Sequence, residues 1–124
     1  KKIQKYFSFR EKTMDTHNFF KISDVGISSS FEEGLSNSLI EFISFGIPTI
    51  ATDVGGNREI TNNENGFLIK NNCGDALVNA MKTSMLNKKL LRMKAIRSKE
   101  DSQKFSLNKM VSNHSDIYRK LIIK

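Results

Sequence analysis

The chain has 124 residues, 38% of them hydrophobic, and a formal charge of +7, which is enough for one core and the size of one ordinary domain. No apolar run nears the roughly 20 residues that span a bilayer, and the opening Lys1-Lys2-Ile3-Gln4-Lys5 has no signal-peptide pattern, so it reads as a boundary inside a longer protein. A single cysteine, Cys73, excludes an intrachain disulfide and a cysteine-built zinc site, and suits a reducing, cytoplasmic setting.

The charge is uneven. Residues 1–81 hold 8 Lys/Arg and 10 Asp/Glu, whereas residues 82–124 hold 12 Lys/Arg and 3 Asp/Glu. A basic tail of this kind can meet an anionic membrane surface or nucleic acid, or simply present solvated helix faces. Only Phe105 and Tyr118 interleave its cations, so nucleic acid is not expected. Peripheral contact with the inner face of the cell membrane stays open.

In chain order, short apolar runs alternate with helical stretches, which predicts parallel strands joined by helices. Residues 3–9 alternate as a strand would. Asp15 or Thr16 caps a short helix to about Ile22. Val25-Gly26-Ile27 is a buried strand, ended by three serines, and residues 31–34 are a loop. Ser36 or Asn37 caps a helix to about Phe45, with Gly46 just past its end. Thr49-Ile50-Ala51-Thr52 is a second buried strand. Gly55-Gly56 is a flexible turn, and Asn65-Gly66 turns into the strand Phe67-Leu68-Ile69. Asp75 caps a helix to about Met85. Asn87 starts another, with Leu90, Met93 and Ile96 on one side and Lys89, Arg92 and Lys99 elsewhere. A last helix runs from Leu107 to Ile122, with Met110, Val111, His114, Ile117, Tyr118 and Leu121 at helical spacing. The expected fold is α/β: a partial Rossmann-like parallel sheet of about four strands with a helical C-terminal tail, short of the usual 5–6 strands. His17 and His114 lack a nearby acid or nucleophile and are expected to be an exposed helix residue and a neighbour of a helix–helix contact.

The segment Glu33-Gly34-Leu35-Ser36-Asn37-Ser38-Leu39-Ile40-Glu41 follows a buried strand and opens a helix. In open parallel sheets ligands bind at this end of the strands. The unpaired N–H groups of a helix's first turn attract phosphate, and Gly34 lets that backbone approach without a Cβ in the way. Glu41 has Leu39, Ile40, Phe42, Ile43 and Phe45 around it in sequence, so burial without a partner would be costly. Asn37, Ser38, Glu41 and Ser44 share one helix face. That face meets either water or a ligand.

The segment resembles the donor-site signature of glycosyltransferase family 4, the group 1 glycosyltransferases: two glutamates separated by seven residues, with Gly after the first. Ser23-Asp24-Val25, the stretch from Gly46-Ile47-Pro48 through Gly55-Gly56 to Glu59, Asn65-Gly66-Phe67-Leu68-Ile69, Asp75-Ala76-Leu77, Phe105-Ser106 and Tyr118 are similar to the family's surrounding pattern in the same order. The resemblance implies the C-terminal, donor-binding region of a two-domain GT-B enzyme. Such an enzyme transfers a hexose with retention from a nucleotide diphosphate sugar to a glycan or lipid acceptor, in pathways such as polysaccharide synthesis, with no metal or cofactor. It implies Glu33 on the hexose hydroxyls, with a part in catalysis. Gly34, Leu35, Ser36 and Asn37 would meet the sugar and diphosphate, and Glu41 the ribose. The acceptor domain and a basic diphosphate clamp would lie upstream, so this chain alone is expected to be inactive. Ser29 stands where the family usually has Pro, Phe42 where a small residue is common, and Arg58 where Pro is frequent. The alternatives are a non-enzymatic basic module for nucleic acid or membrane, and another GT-B enzyme such as a glycogen-synthase-like transferase or a sugar-nucleotide epimerase.

Overall fold

A computed structural model of the protein describes residues 3–11 and 16–122. Its elements are α1 (His17–Ile22), β1 (Gly26–Ser28), α2 (Asn37–Ser44), β2 (Thr49–Thr52), α3 (Asn57–Ile60), β3 (Gly66–Ile69), α4 (Gly74–Leu86), α5 (Lys88–Asp101) and α6 (Leu107–Ile122). The three strands form one parallel sheet in the order β1-β2-β3. Thr49 lies opposite both Gly26 and Gly66.

β2 is buried along its whole length, and its alternating side chains feed two cores, as the two-residue period of a strand dictates. Ala51 packs with Leu39 and Ile43 of α2 and with Ile60. Ile50 packs with Ile69 and with Ala80 of α4. Helices therefore cover both faces of the sheet. The large Phe42 fits because its ring lies over Gly26, where a Cβ would fall 2.4 Å from ring carbons. Phe20 meets the ring of Phe42 edge-on at 5.2 Å.

Several expectations are corrected. Residues 3–9 form no strand: Gln4–Tyr6 is a 3-10 turn, and the segment is exposed with no neighbouring strand among the described residues to complete a ladder. Among the described residues three strands stand where about four were expected. Asp75 lies inside the first turn of α4 and Cys73 holds the cap position. Thr16 caps α1 by position without a side-chain bond, and Asp15 lies outside the described residues. Asn87 does cap α5, its side chain accepting from the Leu90 amide at 3.0 Å.

The inward face of α5 is not the apolar one. Met93 and Ile96 are exposed, while Leu91, Lys94, Ser98 and Asp101 are buried. The turn before β3 presents carbonyls to this helix, and polar side chains answer them. Lys94 Nζ donates to Asn63 O and Gly66 O, and Ser98 Oγ donates to Asn65 O at 2.8 Å. Asn65 Nδ2 donates to Ile60 O at 2.8 Å and to Asp101 Oδ2 at 3.1 Å. Lys104 and Arg97 pair with the Asp101 carboxylate at 2.7 and 3.3 Å. Burial pushes the Asp101 pKa up, but the contacts to Lys104, Arg97 and Asn65 outweigh it and hold the carboxyl below its ordinary value.

Because that pKa is depressed, the stabilisation from the Asp101 carboxylate is complete above the unfolded pKa and is lost as pH falls through the folded one. Asp101→Asn is expected to cost about 1–3 kcal/mol at neutral pH. Denaturant titrations at neutral and acid pH will show this difference shrink on acidification. An equal deficit at both pH values would contradict the ionic role.

Candidate functional site at the strand ends

The loop that carries Glu33 and Gly34 leaves the C-terminal end of β1 and enters α2. It is fixed at two points. Thr52 Oγ1, at the end of β2, donates to Ser30 O at 2.6 Å. The Gly56 amide donates to Gly34 O at 2.8 Å. Glu33 is half-buried, and its Oε2 accepts from Ser30 Oγ at 3.1 Å.

Gly55-Gly56, expected to be a flexible turn, is a turn that also makes a close backbone contact. A Cβ on Gly55 would fall 1.7 Å from Glu33 O, and one on Gly56 would fall 2.3 Å from Gly34 O. Gly55 also has φ +47°, a conformation that L side chains rarely adopt. By contrast, a Cβ on Gly34 would meet nothing within 4 Å. The fold demands glycine at 55 and 56 but not at 34, which faces open space. The short α3 behind this turn was not expected. Its Asn57 is fully buried, donates from Nδ2 to Thr52 O at 3.1 Å, and leaves Oδ1 without a partner among the described residues.

Ser36 occupies the cap position of α2 in extended backbone and is 5% exposed, yet no side chain caps the helix and its first turn holds no acid. The amides at this terminus are therefore electropositive and open. Leu35 and Asn37 are exposed beside it. Glu41, one turn further, is exposed rather than enclosed by its apolar neighbours. Those neighbours turn to either side of the helix and leave the stripe of Asn37, Ser38 and Glu41 facing outward. Glu33, Gly34 and the α2 terminus thus follow one another along the loop at the strand ends, and Glu41 lies further along α2 on its exposed side.

Two cavities flank this surface. One, of about 270 Å³, lies where the strands end against α4 and includes Ser29, Phe31, Thr52, Lys70 and Asn72. The other, of about 380 Å³, lies between Leu35, Asn37 and Ile40 on one side and Phe105, Met110 and His114 on the other. His114 is exposed there, with Nδ1 2.8 Å from Met110 O. His17 is also exposed and sets its ring edge-on to Phe45 at 4.9 Å. Sequence reading missed Ser30, Thr52 and the Gly55–Gly56 contact. The triple serine reads as a plain strand ending; its side chains bond locally to one another and to Glu33, and only the Thr52 bond to Ser30 O needs β2 alongside.

Helices on both faces of a parallel sheet, with an open helix terminus at the strand ends, define the doubly wound α/β class, whose ligands bind at that edge. The family described as "Glycosyl transferases group 1" matches residues 2–101, and the chain belongs to it. EpsD of Bacillus subtilis (strain 168) is 36% identical over 107 residues, covering 84% of this chain and 28% of that protein. The UDP-Gal:alpha-D-GlcNAc-diphosphoundecaprenol alpha-1,3-galactosyltransferase of Escherichia coli is 32% identical over 114 residues, covering 88% of this chain and 28% of that enzyme. The chain thus spans under a third of the length of these relatives. A crystal structure of a glycosyltransferase from Rickettsia africae ESF-5 superposes with a TM-score of 0.89 at 28% identity, covering 98% of this chain and 33% of that one. The fold is that of a GT-B glycosyltransferase domain.

The glycine contacts separate folding from binding. Gly55→Ala is expected to destabilise the chain by about 1–3 kcal/mol, because the new methyl displaces backbone. Gly34→Ala is expected to stay within about 0.5 kcal/mol of the unaltered protein. Chemical denaturation of both variants checks the pair, and equal losses would contradict the open position of Gly34.

Proposed function

We propose that this chain is the donor-binding part of a longer, two-domain enzyme of glycosyltransferase family 4, which transfers a hexose from a nucleoside diphosphate sugar to a glycan or lipid acceptor with retention. The observation that carries the reading is the uncapped α2 terminus beside Gly34, whose side with no Cβ faces open space, between the carboxylates of Glu33 and Glu41. An anionic diphosphate satisfies the open amides, and the same amides stabilise the charge that builds on it as the glycosidic bond breaks. Glu33 accepts hydrogen bonds from hexose hydroxyls and Glu41 from the ribose hydroxyls. The backbone around Gly34, Leu35, Ser36 and Asn37 meets the sugar and diphosphate. No metal or cofactor enters this scheme.

The name of the Escherichia coli relative specifies UDP-galactose and a diphosphoundecaprenol-linked acceptor, which favours a uridine donor and a lipid-linked acceptor here. No helix among the described residues is long and apolar enough to cross a membrane. On this reading a cytoplasmic enzyme meets its lipid acceptor by peripheral contact, to which the basic residues after position 81 contribute. The acceptor contacts and the upstream basic clamp are supplied by the rest of the enzyme, so the 124 residues alone bind donor weakly and do not transfer sugar.

Glu41→Gln keeps the side-chain shape and removes the charge shared by two ribose hydroxyls. In the intact enzyme it is expected to weaken UDP by about ten- to a hundredfold. Gly34→Ala is expected to weaken donor binding while leaving stability unchanged. Calorimetric titration with UDP, UDP-galactose and UDP-glucose measures both. Unchanged UDP affinity in Glu41→Gln would remove the ribose assignment.

A further inference from the structure

We propose that Ser30 is a positioning residue for Glu33, the end of a hydroxyl relay that holds this carboxylate ready for the donor sugar; the inference rests on the donor-site reading of Glu33. Ser30 Oγ donates to Glu33 Oε2 at 3.1 Å. A serine hydroxyl has a single proton, so the second hydroxyl beside it, Ser28 Oγ at 3.3 Å, is the donor of that pair. The order is therefore Ser28 to Ser30 to Glu33. The Ser30 backbone is held independently: its carbonyl accepts from Thr52 Oγ1 at 2.6 Å, and Thr52 is only 5% exposed. The relay is thus anchored to the most enclosed strand of the sheet.

The arrangement leaves Glu33 half-committed. One oxygen is held by Ser30, while Oε1 has no hydrogen bond among the described residues and is free to accept from a ligand. An unrestrained glutamate samples many rotamers and loses that freedom when a ligand binds. Ser30 removes part of that loss beforehand, in the way that outlying groups fix a binding side chain in its productive geometry. Glu41 lies on exposed helix surface, with no such restraint on its carboxylate among the described residues. The two acids therefore differ in preorganisation as well as in place.

Ser30→Ala removes both hydroxyl contacts and keeps the carbonyl that Thr52 holds, so it separates positioning from folding. The experiment uses the intact enzyme, UDP as one probe, and as the other the tightest binder among UDP-galactose, UDP-glucose and UDP-N-acetylglucosamine. Ser30→Ala is expected to weaken the sugar nucleotide about three- to tenfold while UDP stays within about twofold. Ser30→Thr, which keeps a hydroxyl, is expected to restore most of the loss. Equal weakening of UDP and sugar nucleotide would mean a merely structural role and overturn the inference. So would a Ser30→Ala protein that binds both as the unaltered one does, while Glu33→Gln selectively loses the sugar nucleotide. If Glu33→Gln itself leaves the ratio of the two affinities unchanged, the donor-site reading of Glu33 fails, and the relay loses its purpose with it.

Discussion

β2 is enclosed on both faces and paired along both edges, and the loops at its end inherit that rigidity. A strand in this position cannot tilt without opening two cores, one against α2 and one against α4. Thr52 is its last residue, and the turn that follows supplies Gly55 and Gly56. The loop after β1 is thereby held by a side chain and an amide that both descend from β2. The candidate site is built on a neighbouring strand, and Glu33 gains its fixed place from residues about twenty positions away.

The polar inner face of α5 follows from a similar necessity. The turn before β3 must place Asn65 in the interior so that Gly66 can enter the sheet opposite Thr49. Its carbonyls then point at a helix and not at water. An unpaired buried carbonyl costs about 1–3 kcal/mol, so an apolar α5 face would be the worse solution. Lys94, Ser98 and Asp101 are what such a turn requires. The apolar residues at helical spacing, Met93 and Ile96, are left outside. Periodicity alone points to the wrong face because it counts hydrophobicity and not the hydrogen-bond needs of the partner.

Much of the fold is legible in the sequence where local signals are strong. Thr49–Thr52 and Leu107–Ile122 have the bounds that composition and spacing suggest, and Asn87 caps its helix. The failures share a cause. The alternation in residues 3–9 is a genuine pattern with no adjacent strand among the described residues to use it. α3 has four residues, too few for a period to show. Glu41 has apolar neighbours on both sides in sequence, yet helical geometry sends them to either side of it and leaves it outward. The signature glutamates were visible through the family resemblance, whereas Ser30 and Thr52 were not, because a serine bonded within its own loop and a strand-end threonine bonded to that loop leave no pattern in composition or period. Phe42, unusual against the family pattern, is explained by the absent side chain of Gly26 beneath its ring, a compensation that only the strand–helix packing reveals.

The state of the α2 terminus is the last step. Ser36 has the residue type and the extended backbone of a helix cap, yet its hydroxyl makes no capping bond and no acid sits in the first turn. Forgoing such a cap costs about 1 kcal/mol, and two residues so close in type to good caps, Ser36 and Asn37, make the omission one of geometry rather than of composition. A capped terminus would already have its amides occupied and its positive end partly neutralised. An uncapped one, beside a glycine with open space in front of it, keeps both for an incoming anion. On the donor-site reading, the diphosphate completes a helix that the chain leaves unfinished, so part of the binding free energy is the capping energy the fold withholds. The same end then holds its charge fixed in place before the leaving group develops its own, which is where preorganised dipoles act most strongly on the rate.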